Sequence, residues 1–115
     1  MNDRHATNIQ RLFEAVQSTP GETNPNFRRT IEEQSAEMSI HSGETIEEIP
    51  PELANYVKKV ALHAYKVTDE DIEALRQAGY AEDAIFEITV SAAIGAGRVR
   101  LECGLVALKG EQQCD

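Results

Sequence analysis

The sequence predicts an all-α domain of about five helices, the last of them long. Apolar residues recur at intervals of three and four along most of the 115 residues, which is the spacing that places side chains on one face of a helix. Residues typical of helix starts and stops separate these stretches. One triplet with strand propensity, Ile88, Thr89 and Val90, has no turn residue beside it. Periodicity and end signals therefore agree on helices.

The first two helices are predicted in the N-terminal third of the chain. The first has the one-face residues Ile9, Leu12, Phe13 and Val16. Its pattern stops at residues 18–21, Ser-Thr-Pro-Gly, which disfavour further helix. The second begins after Asn24, a typical N-cap residue, with Pro25 at the first helical position. Its stripe consists of Phe27, Ile31 and Met38. We expect it to end near Ser39.

A linker and two further helices follow. Residues 40–51 have no apolar period and end in a double proline, which bars helix at the preceding residue. The third helix is predicted from Glu52 to Val67. Its apolar positions are Leu53, Tyr56, Val57, Val60, Ala61 and Ala64. Thr68 and Asp71 approximate a capping box for a short fourth helix, and Gly79 marks its C-terminal stop.

The last helix is predicted from Glu82 to Leu108, a length of about 40 Å. Acidic residues at its start favour the positive end of the helix dipole. Its middle consists of small residues, including Gly95 and Gly97. Because a glycine inside a helix costs about 1 kcal/mol relative to alanine, these two glycines predict close packing of another helix.

The same glycines allow a second interpretation, as the start of a dinucleotide-binding turn. That turn needs a third glycine, where the helix packs against a strand. Arg100 occupies the corresponding position. The sequence therefore disfavours nucleotide binding and favours the middle of a helix.

Composition limits the partners. The formal charge is -9, from 20 acidic and 11 basic residues, and such a surface repels phosphate backbones and anionic lipid. We expect no nucleic-acid or membrane partner. No run approaches the roughly 20 apolar residues of a membrane span, and residues 1–10 lack a signal-peptide pattern, so a cytoplasmic location is expected. Cys103 and Cys114 form no CxxC or zinc pattern. Free thiols, no metal and no cofactor are expected.

A family resemblance rests on the end of the fourth helix and the residues after it. The matched positions are Leu75, Ala78, Gly79, Tyr80, Asp83, Ile85 and Glu87. A helix of small residues follows and ends near an Arg-Leu pair. Ala81 stands at the position where proteins with this pattern usually have a Ser or Thr cap. Over residues 60–105 this pattern resembles the AhpD-like, or carboxymuconolactone decarboxylase, family, in its C-terminal half-repeat and peroxidase-related branch.

The resemblance implies a single AhpD-like helical domain over residues 1–115. Residues 51–110 would be the family-like core, and residues 1–50 an N-terminal helical extension and linker. Redox members of the family carry a CxxC motif and a histidine before the glycine. The corresponding positions here are Ala64, Val67 and Asp71, none of which can supply a thiolate. The resemblance thus supports the fold and argues against peroxide reduction.

His63 and Glu87 are the candidate catalytic residues. His63 lies on the third helix and could act as a general base near neutral pH, or be a partly buried structural histidine. Glu87 lies among apolar residues, which would raise its pKa and suit it to acid or base chemistry. Its alternative role is an ion pair with Arg98 or Arg100.

Arg98 and Tyr65 are the candidate substrate-binding residues. Arg98 and Arg100 could clamp an anionic substrate through bidentate hydrogen bonds, or be solvated or paired arginines. Tyr56 and Tyr65 could donate to a ligand, or be core aromatics with a hydrated hydroxyl. The acidic residues 69–71 suit a helix start as well as they suit a metal.

Three functions remain open. The first, which we favour, is a non-redox homo-oligomer, a dimer or trimer first, with a binding or structural role. The long helix supports it, because apolar residues occupy most of its circumference, and AhpD-like proteins commonly assemble as dimers, trimers or hexamers. The second is a cofactor-free enzyme of the decarboxylase type that uses His63 and Glu87 on a small acidic or lactone substrate. The third is an accessory module that binds another protein through residues 1–50.

Overall fold

The computed structural model describes residues 3–40 and 49–110. Within these ranges the chain is helical and contains no strand, which confirms the predicted all-α class. The helices are α1 (Asp3–Ser18), α2 (Pro25–Ile40), α3 (Pro51–His63), α4 (Asp69–Gln77) and α5 (Glu82–Leu108). The long C-terminal helix has 27 residues, as predicted. Most of the predicted linker, residues 41–48, lies outside the described residues.

The helix ends follow the local sequence signals. The Asn24 side chain accepts a hydrogen bond from the Asn26 N–H at 2.7 Å, which caps the start of α2. Thr68 and Asp71 form both bonds of a capping box at the start of α4. Gly79 has a φ of +102° after the end of α4, a left-handed conformation that glycine adopts without a steric penalty. These three predictions are confirmed.

The third helix is shorter than predicted. Its α-helical part ends at His63, and a single 3₁₀ turn, Ala64–Lys66, follows. Thr68 must be extended to cap α4, with φ −123° and ψ 167°, and Val67 is extended as well. The helix therefore cannot continue to Val67, although its apolar period does.

The core lies where α2, α3 and α5 meet. The α2–α5 contact is the most extensive between any two helices, and α3 packs against both. The buried cluster comprises Ile31, Met38, Ile49, Leu53, Ala54, Tyr56, Val57, Leu75, Ile85, Ile88 and Ala92. Since α2 supplies two of these side chains, it belongs to the same core as the helices after residue 50.

The small residues of α5 admit α2 at Gly95. A Cβ at Gly95 would lie 2.1 Å from the backbone oxygen of Glu32, so only glycine fits. Ser35, also on α2, donates its hydroxyl to the Ala92 backbone oxygen. The predicted close packing is therefore confirmed at Gly95. It is not found at Gly97, where a Cβ would meet no atom of the described chain within 4 Å.

A helix that crosses a membrane must be both long and apolar. Among the described residues, no helix combines enough of both to cross a membrane. Even α5, the longest, carries charged residues along its length, among them Glu87, Arg98 and Glu102.

Candidate functional site

His63 lies at the end of α3 and is exposed, so the predicted partly buried structural histidine is wrong. Its ring packs edge-to-face with Tyr65, with 6.1 Å between ring centroids. Tyr65 is 81% exposed, and Lys66 Nζ lies 5.8 Å from its ring centroid. Tyr65 is thus not a core aromatic. It forms a small surface cluster with its neighbours at the 3₁₀ turn.

Tyr56 differs from Tyr65 in its environment. It is buried, and its hydroxyl lies 2.6 Å from Thr89 Oγ1. Tyr56 is therefore the core aromatic that the sequence suggested as one alternative, but its hydroxyl pairs with Thr89 where a hydrated hydroxyl was expected. Tyr56 joins α3 to the first half of α5.

Glu87 holds the loop between α1 and α2. Its Oε2 accepts a hydrogen bond from the Glu22 N–H at 2.8 Å, and its Oε1 accepts one from the Thr23 N–H at 2.8 Å. The Thr23 hydroxyl also donates to Oε1. A Cβ at Gly21 would lie 2.7 Å from Oε2, so glycine allows the loop to reach the carboxylate. Glu87 therefore fixes the entry into α2.

These bonds decide the ionisation of Glu87. Partial burial acts to raise its pKa, but the hydrogen bonds from Thr23 and Glu22 and the charge of Arg28 outweigh burial, and the pKa lies below its ordinary value. The expectation of a raised pKa is wrong. Expected ion pairs with Arg98 or Arg100 are absent from the described contacts, because Glu87 faces the α1–α2 loop instead.

The two candidate catalytic residues are far apart. The carbonyl oxygen of Ala61, two residues before His63, accepts a hydrogen bond from Arg100 Nη2 at 2.7 Å. This contact places the end of α3 beside Arg100, and Arg100 lies about 20 Å beyond Glu87 along the axis of α5. His63 and Glu87 therefore do not converge on one point.

Arg98 is committed to a buried ion pair. Its Nη1 lies 3.2 Å from Glu32 Oε2, and Glu32 is 2% exposed. Gln17 on α1 donates to the same carboxylate oxygen. Since Arg98 neutralises a buried charge, we assign it a structural role in place of the predicted substrate contact. Arg100, bonded to Ala61, likewise joins helices.

The sequence did not indicate the polar groups of α2. Arg28 and Glu32 are both buried, and they lie four residues apart on the same helix face. Arg28 donates to the backbone oxygens of Val16 and Thr19 at the end of α1. The sequence signal that could have revealed them is the four-residue spacing of Arg28 and Glu32, which places both on the helix face that contains Ile31. Together Arg28, Glu32 and Glu87 bind α1 and its loop to α2 and α5.

One open cavity lies beside Arg28 and Glu87, and a second lies elsewhere on the chain. One, of about 230 Å³, is lined by α1, the α1–α2 loop and α5, and includes Val16, Arg28, Phe86 and Glu87. The other, of about 250 Å³, lies between α3 and α4. Its main charged pair is internal, with Lys59 Nζ 2.9 Å from Asp71 Oδ1. The charged groups of both cavities already bind within the chain.

Metal and thiol sites were also sought. Across residues 3–40 and 49–110, no group of three side chains could hold a metal ion. The acidic residues 69–71 occupy the first turn of α4, as a helix start favours. Cys103 is a free thiol of intermediate exposure. Cys114 lies outside the described residues.

The most distinctive surface is the solvent-facing side of α5, which we call the outer stripe. It consists of Phe86, Val90, Ala93, Gly97, Leu101, Gly104 and Leu108. These positions fall within an arc of about 80° and extend for about 33 Å. Phe86 is 68% and Leu108 78% exposed. The sequence predicted apolar residues around α5, and the structure shows which of them α2 and α3 leave uncovered.

Comparison of the chain with protein-family models, with curated proteins and with solved structures gives no match. Functional inference therefore rests on the chain's own geometry.

Proposed function

We propose that this chain is a non-redox helical module that functions by self-association through the outer stripe of α5. The observation that carries the proposal is the absence of any charged residue from the stripe, from Phe86 to Leu108. A helix on the surface of a monomer normally keeps its polar face toward solvent. In α5 one solvent-facing arc, the outer stripe, is apolar instead, and the exposed charges Arg100 and Glu102 lie outside it.

The size of the stripe supports the same proposal. Monomeric proteins rarely expose contiguous apolar patches larger than a few hundred Å². Phe86, Leu101 and Leu108 are all exposed, and full burial of such side chains is worth about 1.5 to 3 kcal/mol each. Association would recover the part of this free energy that corresponds to the still exposed fraction of each side chain, which is smallest for Leu101 at 38%. The resemblance to AhpD-like proteins, which assemble as oligomers, is compatible with such a role.

The contacts of the candidate catalytic and substrate-binding residues support a role in binding more than they support a role in catalysis. Glu87 and Arg98 are engaged in contacts that hold helices together. His63 is exposed and lies far from Glu87, so a shared substrate would not reach both. The positions that correspond to the family's CxxC and histidine hold Ala64, Val67 and Asp71, so thiol-dependent peroxide reduction is not expected at this site.

Light scattering coupled to size exclusion tests the proposal. We expect the full chain at micromolar concentration to have a mass well above the 12.7 kDa of one chain. Gly97→Glu places a charge in the middle of the stripe, at a position where a Cβ would meet no atom of the described chain within 4 Å. This variant should have the mass of a monomer with an unchanged helical circular dichroism spectrum.

The matched control is Asn26→Glu, which adds the same charge at an exposed position in the first turn of α2. Its mass should equal that of the unmodified chain. A monomeric mass for the unmodified chain contradicts the proposal. So does an unchanged mass in Gly97→Glu.

A further inference from the structure

Arg28 on α2 carries a buried positive charge without an ion-pair partner among the described residues. It is 5% exposed. Its Nη1 donates to the Val16 backbone oxygen at 2.7 Å, and its Nη2 donates to the Thr19 backbone oxygen. Its Nε is buried and has no hydrogen-bond acceptor in the described part of the chain. Because a buried charge is costly unless it is paired, Arg28 has an unmet need for an anion.

The carboxylates around Arg28 do not meet this need. Glu87 acts on Arg28 through its charge, but both Glu87 oxygens accept hydrogen bonds from the α1–α2 loop. Glu32 is the carboxylate one turn along α2, and its ion pair is with Arg98, at 3.2 Å. The fold therefore pairs the buried charge of Glu32 and leaves that of Arg28 to carbonyl oxygens.

Arg28 lines the open cavity of about 230 Å³ between α1, the α1–α2 loop and α5. The other walls of this cavity are mainly apolar and include Val16, Phe86 and Val90. A cavity of about 150 Å³ holds benzene, so this space is large enough for one ring or a short aliphatic chain. Apolar walls with a few polar groups that fix orientation are typical of small-molecule sites.

We infer that this cavity binds a small ionised carboxylic acid whose apolar body is one ring or a short chain. The carboxylate accepts hydrogen bonds from Arg28, whose Nε–H is the unused donor, and the apolar body packs against Phe86 and Val90. Hydrogen bonds between arginine and a carboxylate are among the stronger ones in proteins. The site is built from a single chain, so the inference goes beyond the proposed self-association and does not depend on it.

Titration of the full chain with phenylacetate, followed by proton–nitrogen correlation NMR, tests the inference. We expect saturable shifts of the backbone signals of Val16, Phe86 and Val90 and of the side-chain Nε–H signal of Arg28. Phenylacetamide has nearly the same shape and no charge. It should bind at least about tenfold more weakly, because hydrogen bonds to a charged group are stronger than those to a neutral one. Phenethylamine, which has the opposite charge, should not bind.

The matched variants change the apolar wall and leave Arg28 in place. Phe86→Ala should weaken phenylacetate binding at least about fivefold, because it removes apolar contact area. Leu108→Ala removes an equally exposed side chain at the far end of α5 and should leave the affinity unchanged. An Arg28 Nε–H signal that does not move at saturation overturns the site. So does the absence of saturable binding at millimolar phenylacetate, and equal affinities for phenylacetate and phenylacetamide overturn the carboxylate class.

Discussion

Gly95 and Gly97 lie two positions apart on α5 and face opposite sides of the helix. On the inner side, Gly95 admits the backbone of α2, since a Cβ there would lie 2.1 Å from the Glu32 oxygen. On the outer side, Gly97 faces open space. The same residue type therefore meets a packing requirement of the fold at Gly95 and meets none among the described residues at Gly97.

The side chains around the two glycines also differ, in size and in burial. The inner side carries the small buried residues Ser91, Ala92 and Ala96, which let α2 and α3 lie close to α5. The outer side carries exposed Phe86 and Leu108. Large apolar residues are thus placed where the described part of the chain leaves them mostly exposed. The inner side of α5 therefore serves packing within the fold, whereas the apolar outer side is the surface through which we propose association.

The largest expected effect on the free energy of unfolding is on the inner side of α5. Gly95→Ala places a methyl group against the Glu32 backbone and forces α2 away from α5. Overpacking of a core commonly costs 1 to 3 kcal/mol, and a contact with backbone cannot be relieved by a side-chain rotation. We expect the free energy of unfolding in urea to fall by more than about 3 kcal/mol. A loss under about 1 kcal/mol would show that α2 moves freely and would remove the contrast between the two glycines.

An intermediate effect is expected at the side of α5 where Glu87 holds the α1–α2 loop. Glu87→Gln removes the charge that accepts hydrogen bonds from Glu22 and Thr23. We expect a loss of about 1 to 2 kcal/mol at about pH 7, the range for bonds to a charged group. Because the pKa of Glu87 is lowered in the folded chain, this stabilisation is complete above its ordinary pKa and is lost as the pH falls through the folded pKa.

The difference in the free energy of unfolding between the unmodified chain and Glu87→Gln should therefore shrink when the pH is lowered below the ordinary pKa of a glutamate side chain. Urea unfolding at several pH values measures it. Glu102→Gln, an exposed glutamate on the same helix, is the control and should change stability by less than about 0.5 kcal/mol. A deficit in Glu87→Gln that is constant down to about pH 3 would contradict the lowered pKa.

The fold could be predicted from the sequence because its signals are local. The bonds that start α2 and α4 join residues two or three positions apart, such as Asn24 to Asn26 and Thr68 to Asp71. Gly79 ends α4 by its own backbone conformation. The apolar periodicity predicted that α5 continues as a helix through Ile88, Thr89 and Val90, the triplet with strand propensity. Each of these features depends on a few neighbouring residues, and each was predicted.

The candidate site could not be predicted in the same way, because its contacts connect distant segments. Glu87 binds residues 22 and 23, and Arg98 binds Glu32. Helical period tells which face a residue occupies, but not which helix covers that face. For the same reason the exposure of Tyr65 was missed, since the 3₁₀ turn interrupts the period of α3. The two faces of α5 became distinguishable only when α2 was placed.

The smallest expected effect on the free energy of unfolding is at Gly97. The sign of this effect tests most directly the contrast between Gly95 and Gly97. Gly97→Ala adds a methyl group in open space, so in dilute solution, where single chains predominate, helix propensity should raise the free energy of unfolding by up to about 1 kcal/mol. At high protein concentration the proposed association would bring another chain against this methyl group, and the advantage should shrink or reverse. Urea unfolding at two protein concentrations measures both. A gain that is independent of concentration would mean that no second helix approaches Gly97.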